Sequence, residues 1–164
     1  MIKLKKIRVG NGYHYICDEN TLPTFDREIP FVFDLGASFS ALSPSSIIKN
    51  TDSKLYKYLD DLVRTGANKL PYSSVSNESY GIPLMIKNFT IIGRKVDFKF
   101  LLVKDILQKD GRISSIALLG TDFTDYCDYS HSKRKDIIIS DFDVQGYLEH
   151  PYNVEYNELY LNTL

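Results

Sequence analysis

The sequence predicts a mainly β fold with one or two helices, and three features indicate it. Apolar residues alternate strictly from Val96 to Leu102, which is typical of a strand buried on one face. Short β-favouring runs are separated by glycine-, asparagine- and aspartate-containing turn signals, as at 10–12. Strands and long helices do not alternate along the chain, so a doubly wound parallel sheet is excluded. We therefore expect one all-β domain over residues 1–164.

The first third of the chain is predicted to contain three strands. Residues 1–27 are N-terminal strands, in which the turn signal Gly10-Asn11-Gly12 predicts a hairpin. The run Phe31-Val32-Phe33 then predicts a short buried strand that stops at Asp34-Leu35-Gly36. A buried strand that ends in an acid and a glycine places a carboxylate on a tight turn.

Helices are predicted after this turn. Ser43 and Pro44 are typical of a helix start, with the serine as the N-cap and the proline in the first turn. The leucine spacing over 52–65 predicts a second helix, which we expect Gly66 to end in the left-handed conformation. Residues 66–81 are rich in Gly, Ser, Asn and Pro, and predict a loop or an exposed hairpin.

The rest of the chain returns to strands. Turns are predicted at Gly93-Arg94 and Asp110-Gly111, and a short helix over Thr121 to Tyr126. The tail 143–164 alternates in its middle, which predicts an edge strand. The predicted strands are 82–92, 96–102, 116–119, 137–139 and 152–156.

Composition excludes several classes of function. Twenty basic and 21 acidic residues give a net charge of -1, which does not favour nucleic-acid binding. Apolar runs are too short to span a bilayer, and no apolar stretch follows the basic start, so neither a membrane partner nor a secretory signal is expected. Two cysteines are too few for a disulfide framework. These observations predict a cytoplasmic protein.

Side chains that could form other active centres do not have the necessary spacing. His14, His131 and His150 lie in unrelated contexts, so no metal site is expected. Cys17 and Cys127 are predicted to be buried core thiols. The remaining polar candidates are interpreted as structural. Ser38 and Ser40 are predicted to be turn residues, Asp122 a turn or helix-end acid, and 131–135 a solvated basic loop.

Two segments together carry a family resemblance. Phe31–Ser38 reads FVFDLGAS, an apolar strand running into Asp-x-Gly-Ala-Ser, and Ala117–Phe123 reads ALLGTDF, an apolar pair before a glycine and a short helix. In this order, the two resemble the signatures of the retropepsin-like aspartic proteases over roughly residues 28–142. The resemblance implies a closed acid-protease barrel that forms a two-fold homodimer and cleaves a polypeptide substrate.

The chemistry of this family explains the residue types. Two carboxylates share a proton and hold a water molecule, which attacks the peptide bond without a metal or a cofactor. The chain contains only one such turn, so a second copy has to supply the other acid. The resemblance assigns catalysis to Asp34, the active-site turn to Leu35, Gly36, Ala37 and Ser38, and the supporting second motif to Leu118, Leu119 and Gly120.

The resemblance also predicts two accessory regions. The flap, a hairpin that closes over the substrate, is expected between Tyr72 and Met85, with Ser76, Asn77, Tyr80 and Gly81 as its candidate tip and substrate-contacting residues. Termini in this family often pair across the dimer, so the tail 143–164 is a possible dimer strand.

Two departures from the family pattern keep alternatives open. Leu35 stands where most members have a threonine or serine whose hydroxyl braces the dimer, and Thr121 stands where viral members often have arginine. A second hypothesis is therefore a non-catalytic dimeric barrel that binds peptide or protein. A third is a protease that becomes active only after residues 1–25 are removed or a partner binds.

Overall fold

The structure is a computed structural model, and it describes residues 2–9, 12–17, 31–66, 69–73, 78–91, 94–131, 137–149 and 155–160. The described part is mostly β, and its main sheet curls into a half-barrel. The strands are β1 (Ile2–Val9), β2 (Gly12–Cys17), β3 (Phe31–Phe33), β4 (Ala41–Leu42), β5 (Leu70–Ser73), β6 (Glu78–Ile91), β7 (Arg94–Leu102), β8 (Ile106–Leu107), β9 (Ile113–Ser114), β10 (Ala117–Leu119), β11 (Cys127–His131), β12 (Ile137–Phe142) and β13 (Asn157–Tyr160). The helices are α1 (Pro44–Ile47), α2 (Lys54–Thr65), α3 (Thr121–Thr124) and α4 (Val144–Glu149).

Eleven strands form the main sheet. Its order is β11-β12-β1-β2-β3-β10-β4-β7-β6-β13, with β5 paired to β6 beside this path. β1 and β2 are antiparallel neighbours with Val9 opposite Gly12, which confirms the hairpin predicted from the Gly-Asn-Gly signal. None of the described helices is long and apolar enough to cross a bilayer.

The centre of the sheet is built from three short segments that lie far apart in sequence. β10 lies between β3, to which it is parallel, and β4, to which it is antiparallel. β4 in turn pairs in parallel with β7. The chain that connects β3 to β4, residues 34–40, therefore has to pass over the end of β10, and this crossing positions the candidate site.

The main core lies on one face of this sheet. The predicted alternation in β7 is confirmed, because Val96, Phe98, Phe100 and Leu102 are all buried. The Phe98 ring stacks on Phe89 with 4.9 Å between ring centroids. Such burial of large apolar side chains is the main source of stability of the fold.

The helices agree with the predictions in position and differ in detail. Ser43 is the N-cap of α1, but its hydroxyl accepts the backbone N–H of Ile116 at 2.8 Å and does not cap the helix. Gly66 ends α2 with φ at -63°, so the left-handed stop is wrong. Glycine is required there for space, because a Cβ atom would lie 2.5 Å from the Leu62 carbonyl oxygen.

The C-terminal region contains a helix that the sequence did not predict. α4 begins after Asp143, whose carboxylate accepts the N–H of Gly146 at 3.0 Å. Its Tyr147 is fully buried, and the Tyr147 hydroxyl accepts the backbone N–H of Lys99 at 2.8 Å. β13 then pairs in parallel with β6 of the same chain, whereas positions 152–154 of the predicted edge strand lie outside the described residues.

Candidate active site

Asp34 lies on the turn that follows the buried strand β3. The residue before it, Phe33, is 4% exposed and packs edge-on against the Tyr129 ring with 5.4 Å between centroids. The backbone N–H of Asp34 donates to the carbonyl oxygen of Leu119 at 2.9 Å. The buried phenylalanine and this hydrogen bond fix the position of the Asp34 backbone relative to β10.

The side chain of Asp34 accepts one hydrogen bond within the described part of the chain. The donor is the backbone N–H of Gly36, 2.9 Å from Asp34 Oδ1. The Ala37 N–H closes the same turn by donating to the Asp34 carbonyl oxygen at 3.3 Å. The rest of the carboxylate is left available to groups outside this turn.

Gly120 is the point where β10 passes beneath the turn. A Cβ atom on Gly120 would lie 2.6 Å from the carbonyl carbon of Phe39 and 2.8 Å from the carbonyl oxygen of Ala37. Real Cβ atoms do not approach backbone atoms so closely, so glycine is required by the close contact of two chain segments. The Thr121 N–H completes the crossing by donating to the Ala37 carbonyl oxygen at 2.8 Å.

A polar pair, the buried Ser40 and the partly buried Asp122, ties the far end of the turn to the same crossing. Asp122 Oδ1 accepts both the backbone N–H and the hydroxyl of Ser40, each at 2.8 Å. The Ser40 hydroxyl oxygen also accepts the Gly120 N–H at 3.1 Å. Burial raises the pKa of Asp122 to about 6, although the hydrogen bonds from Ser40 act in the opposite direction. We call Ser40 and Asp122 the turn brace.

The turn brace shows what sequence reasoning reached and what it missed. The sequence predicted a turn serine at Ser40 and a helix-end acid at Asp122, and both positions are confirmed. Their pairing was not predicted, because 82 positions separate them. The signal that could have suggested it is an acid two residues after the glycine of the second motif.

The middle of the turn is open to solvent. Leu35 is 52% exposed, Gly36 and Ser38 are exposed, and Asp34 and Ala37 are partly buried. Leu35 is thus a large apolar side chain at the surface, next to the Asp34 carboxylate in sequence.

A second, smaller apolar cluster is separate from the main core. Ala41, Leu101 and Val103 are its buried members, and Leu118 of the second motif packs against them. Leu119, the next residue along β10, belongs to the main core instead, so the two leucines of the motif serve opposite faces. The other partly buried members of this second cluster are Phe39, Leu70 and Ile116.

The region predicted to form the flap contains paired strands. β5 and β6 are antiparallel, with Leu70 opposite Gly81 and Ser73 opposite Glu78, so the described residues 70–73 and 78–81 have the strand pairing of a hairpin. Ser76 and Asn77 lie outside the described residues. A Cβ atom on Gly81 would touch Leu101 and Val103 of the second cluster. Tyr80 is 65% exposed and lines a cavity together with residues of α2.

Another carboxylate lies in a saturated polar cluster elsewhere. Asp105 accepts from the Ser45 hydroxyl at 2.5 Å and from the Tyr56 hydroxyl at 3.1 Å. Burial, followed by the charge of Asp105, raises the pKa of Tyr56 to about 12. Ser115 hydrogen bonds to the Ser45 hydroxyl at 2.7 Å. This cluster joins α1 and α2 to the segments after β7 and before β10.

Further reactive groups are few within the described ranges. Cys127 is a buried free thiol, and burial, with added repulsion from Asp128 and Asp141, raises its pKa to about 12. A thiol with so high a pKa is a poor nucleophile. In the part of the chain that the structure describes, no three His, Cys, Asp or Glu side chains are grouped to hold a metal ion.

Comparison with known proteins gives no family assignment, because no protein-family model, no curated protein and no solved structure matches this chain.

Proposed function

We propose that this chain is an aspartic endopeptidase that works as a two-fold homodimer with one Asp34 from each copy at the catalytic centre. The observation that carries the proposal is the Asp34 turn itself. A rigid backbone presents a carboxylate with a single internal donor, beside an exposed leucine and an exposed glycine. The proposed family is the retropepsin-like one, with a closed barrel around each turn.

Gly36 supports a close approach of two such turns. Its φ lies outside the left-handed region, and among the described residues a Cβ atom there would meet only Asp34 Oδ1, at 3.3 Å. The single chain therefore does not strictly require glycine at this position. A second turn packed against the first would require it, because a side chain would separate the two carboxylates.

In the proposed reaction, one Asp34 is ionised and its mate is protonated. Two acids held this close do not both ionise, so one proton is shared between them. The ionised carboxylate removes a proton from water, and the resulting oxygen nucleophile adds to the peptide carbonyl carbon. The protonated mate donates a hydrogen bond to the carbonyl oxygen. Collapse of the tetrahedral intermediate breaks the C–N bond, and the amine leaves with a proton from the pair.

The surroundings of the turn have matching roles in this proposal. The turn brace holds residues 34–40 against Gly120 and so fixes the direction of the carboxylate. The partly buried members of the second apolar cluster, among them Phe39 and Leu118, offer a surface for substrate side chains next to β10. The β5–β6 hairpin acts as the flap, with Gly81 on the side of this cluster.

Leu35 replaces a hydroxyl by an apolar contact. In the proposed dimer the two Leu35 side chains pack against each other across the axis, which buries the surface that is half exposed in the single chain. Because about half of Leu35 is already covered in the single chain, burial of the rest contributes about 1 kcal/mol per copy. In the proposed dimer, apolar packing of Leu35 thus replaces the hydrogen bonds that a threonine or serine hydroxyl makes across the dimer in most members of the family.

The test is cleavage of a diverse peptide library by the wild type, by Asp34→Asn and by a control variant. We expect the wild type to cleave between about pH 4 and pH 7 and Asp34→Asn to be inactive. Asp125→Asn, which changes an exposed acid at the end of α3, should retain activity. In mixed samples of wild type and Asp34→Asn, activity should fall as the square of the wild-type fraction. A wild type that cleaves nothing in this range, or a linear fall, contradicts the proposal.

A binding protein with the same dimeric architecture is the second candidate, and the exposed Leu35 together with the second apolar cluster favours it. Such a protein would retain library peptides without cleaving them. Equal peptide retention by the wild type and by Asp34→Asn, with no cleavage by either, would identify this second function.

A further inference from the structure

A cavity that no residue of the Asp34 turn lines is bordered by several cationic residues. Its volume is about 190 Å³, and it is lined by Val63, Arg64, Lys69, Tyr80 and Lys104. These residues come from the last turn of α2, from the connection to β5, from β6 and from the segment after β7. Three of the five side chains are cationic and none is a carboxylate.

We call this cavity the basic pocket. Its three cationic side chains differ in how far nearby groups neutralise their charges. Arg64 pairs with Asp61 and, at 3.4 Å, with Asp60, both of which lie outside the lining. The Lys69 ammonium donates to the carbonyl oxygen of Arg64 at 3.3 Å, which places it at the C-terminal end of α2. Lys104 is exposed, and no described carboxylate pairs with it.

Tyr80 and Val63 complete the basic pocket. Tyr80 is 65% exposed, and its phenol adds a hydroxyl donor beside the cations. Val63 is 5% exposed and forms an apolar wall. Lys69 and Lys104 thus hold two positive charges near each other with no carboxylate in the lining, an arrangement that an anion would stabilise.

We propose that the basic pocket binds a phosphate group, either as the free anion or as a monoester of a small molecule. The three cationic residues lie on separate chain segments, at the end of α2, before β5 and after β7, so their charges can approach a ligand from more than one direction. A tetrahedral oxyanion with three or four acceptor oxygens satisfies such an arrangement, whereas a planar carboxylate is held best by one arginine fork. The proposal concerns a different part of the molecule from Asp34, and it stands whether or not the chain is a protease.

The volume and the fold set the consequences of binding. A cavity of this size is below the usual range of drug-sized ligand sites, about 300–1,000 Å³, which fits a small anion with a short substituent. A bound phosphate would bridge the end of α2, the start of the β5–β6 hairpin and the segment after β7. The free energy of unfolding should therefore rise with phosphate concentration.

The test is calorimetric titration of the full chain with inorganic phosphate, phenyl phosphate and glutarate at constant ionic strength. We expect saturable binding of one phosphate per chain, and weaker binding when the titration is repeated at a higher chloride concentration. Tighter binding of phenyl phosphate would identify a monoester as the ligand, and equal affinity would identify the free anion. Glutarate that binds as tightly as phosphate overturns the proposal.

Variants locate the binding to this cavity. Lys104→Ala should weaken phosphate binding about tenfold, as expected for the loss of one charge-assisted hydrogen bond. Lys69→Ala should have a similar effect, and Tyr80→Phe a smaller one. Lys57→Ala, which removes an exposed lysine of α2 that does not line the cavity, is the matched control. No saturable binding, or equal weakening by Lys57→Ala and Lys104→Ala, contradicts the proposal.

Discussion

The Asp34 turn and the Asp105 cluster are two regions that each present an aspartate, and they treat it in opposite ways. Asp105 accepts hydrogen bonds from the backbone N–H and hydroxyl of Ser45 and from the Tyr56 hydroxyl. Among the described residues, Asp34 accepts one hydrogen bond, from the N–H of Gly36 in its own turn. The two aspartates therefore differ in how many donors their side chains accept.

The contrast teaches how a structural acid can be told from a candidate catalytic acid. A carboxylate that holds a fold together is saturated by donors from distant segments, and its removal leaves those donors unpaired. A carboxylate that acts on a substrate needs free lone pairs and a rigid support. Asp122 belongs with Asp105, because its Oδ1 atom is fully used by Ser40.

The largest effect on the free energy of unfolding is expected from a substitution at Gly120, with Gly36 as the comparison. Gly120→Ala should lower the free energy of unfolding by about 3 kcal/mol, because its Cβ atom would overlap the backbone of Phe39 and Ala37. Gly36→Ala should change it by less than about 1 kcal/mol and yet abolish cleavage, since it blocks the approach of the second turn. Urea unfolding measures both values. A Gly120→Ala protein as stable as the wild type would contradict this description of the crossing.

The second effect is the pH dependence of the turn brace. Asp122 has a pKa of about 6 in the folded chain, against 3.8 as its ordinary value, so the folded state binds a proton more tightly. The free energy of unfolding should therefore fall as the pH rises from about 4 to about 6. The pKa difference sets an upper bound of about 3 kcal/mol on this fall.

Urea unfolding at about pH 4.5 and about pH 7 checks this expectation. Asp122→Asn removes the titrating group and should flatten the difference between the two conditions. Asp125→Asn, at an exposed acid near the end of the same helix, is the control and should behave like the wild type. If the free energy of unfolding of Asp122→Asn and that of the wild type depended on pH in the same way, Asp122 would not be the titrating group.

The third prediction concerns how much each of the two aspartates contributes to the free energy of unfolding. Asp105→Asn should lower the free energy of unfolding by about 2 kcal/mol, because an amide nitrogen would face donors of Ser45 or Tyr56. Asp34→Asn should change it by no more than about 0.5 kcal/mol, since an amide oxygen can still accept the Gly36 N–H. If Asp34→Asn proved the more destabilising of the two, Asp34 would be a structural acid.

The local features of this chain could be predicted from its sequence. Alternation gave β7, turn residues located the β1–β2 hairpin and the turn at Gly111, whose φ is +86°, and leucine spacing located α2. These features depend on neighbours that are close along the chain. The position of Asp34 on a turn after a buried strand could be predicted for the same reason.

The features that were missed depend on contacts between distant positions. The Asp105 cluster joins residues separated by 49 and 60 positions, and a Cβ atom on Gly66 would crowd Ile82 of β6. α4 was missed because it has a glycine in its interior and depends on packing of Tyr147 against β7. Tertiary contacts of this kind override local propensity.

The central claim is that two Asp34 turns meet across a two-fold axis, and cross-linking of Leu35→Cys tests it most directly. The variant, made in a Cys17→Ser background with the buried Cys127 left in place, is oxidised and analysed by mass under non-reducing conditions. Two Cβ atoms must come within about 4.5 Å to form a disulfide. We predict that Leu35→Cys rapidly forms a covalent dimer, whereas Lys57→Cys, on the exposed face of α2, forms no covalent dimer. Cross-linking of Leu35→Cys no faster than that of Lys57→Cys would contradict the account.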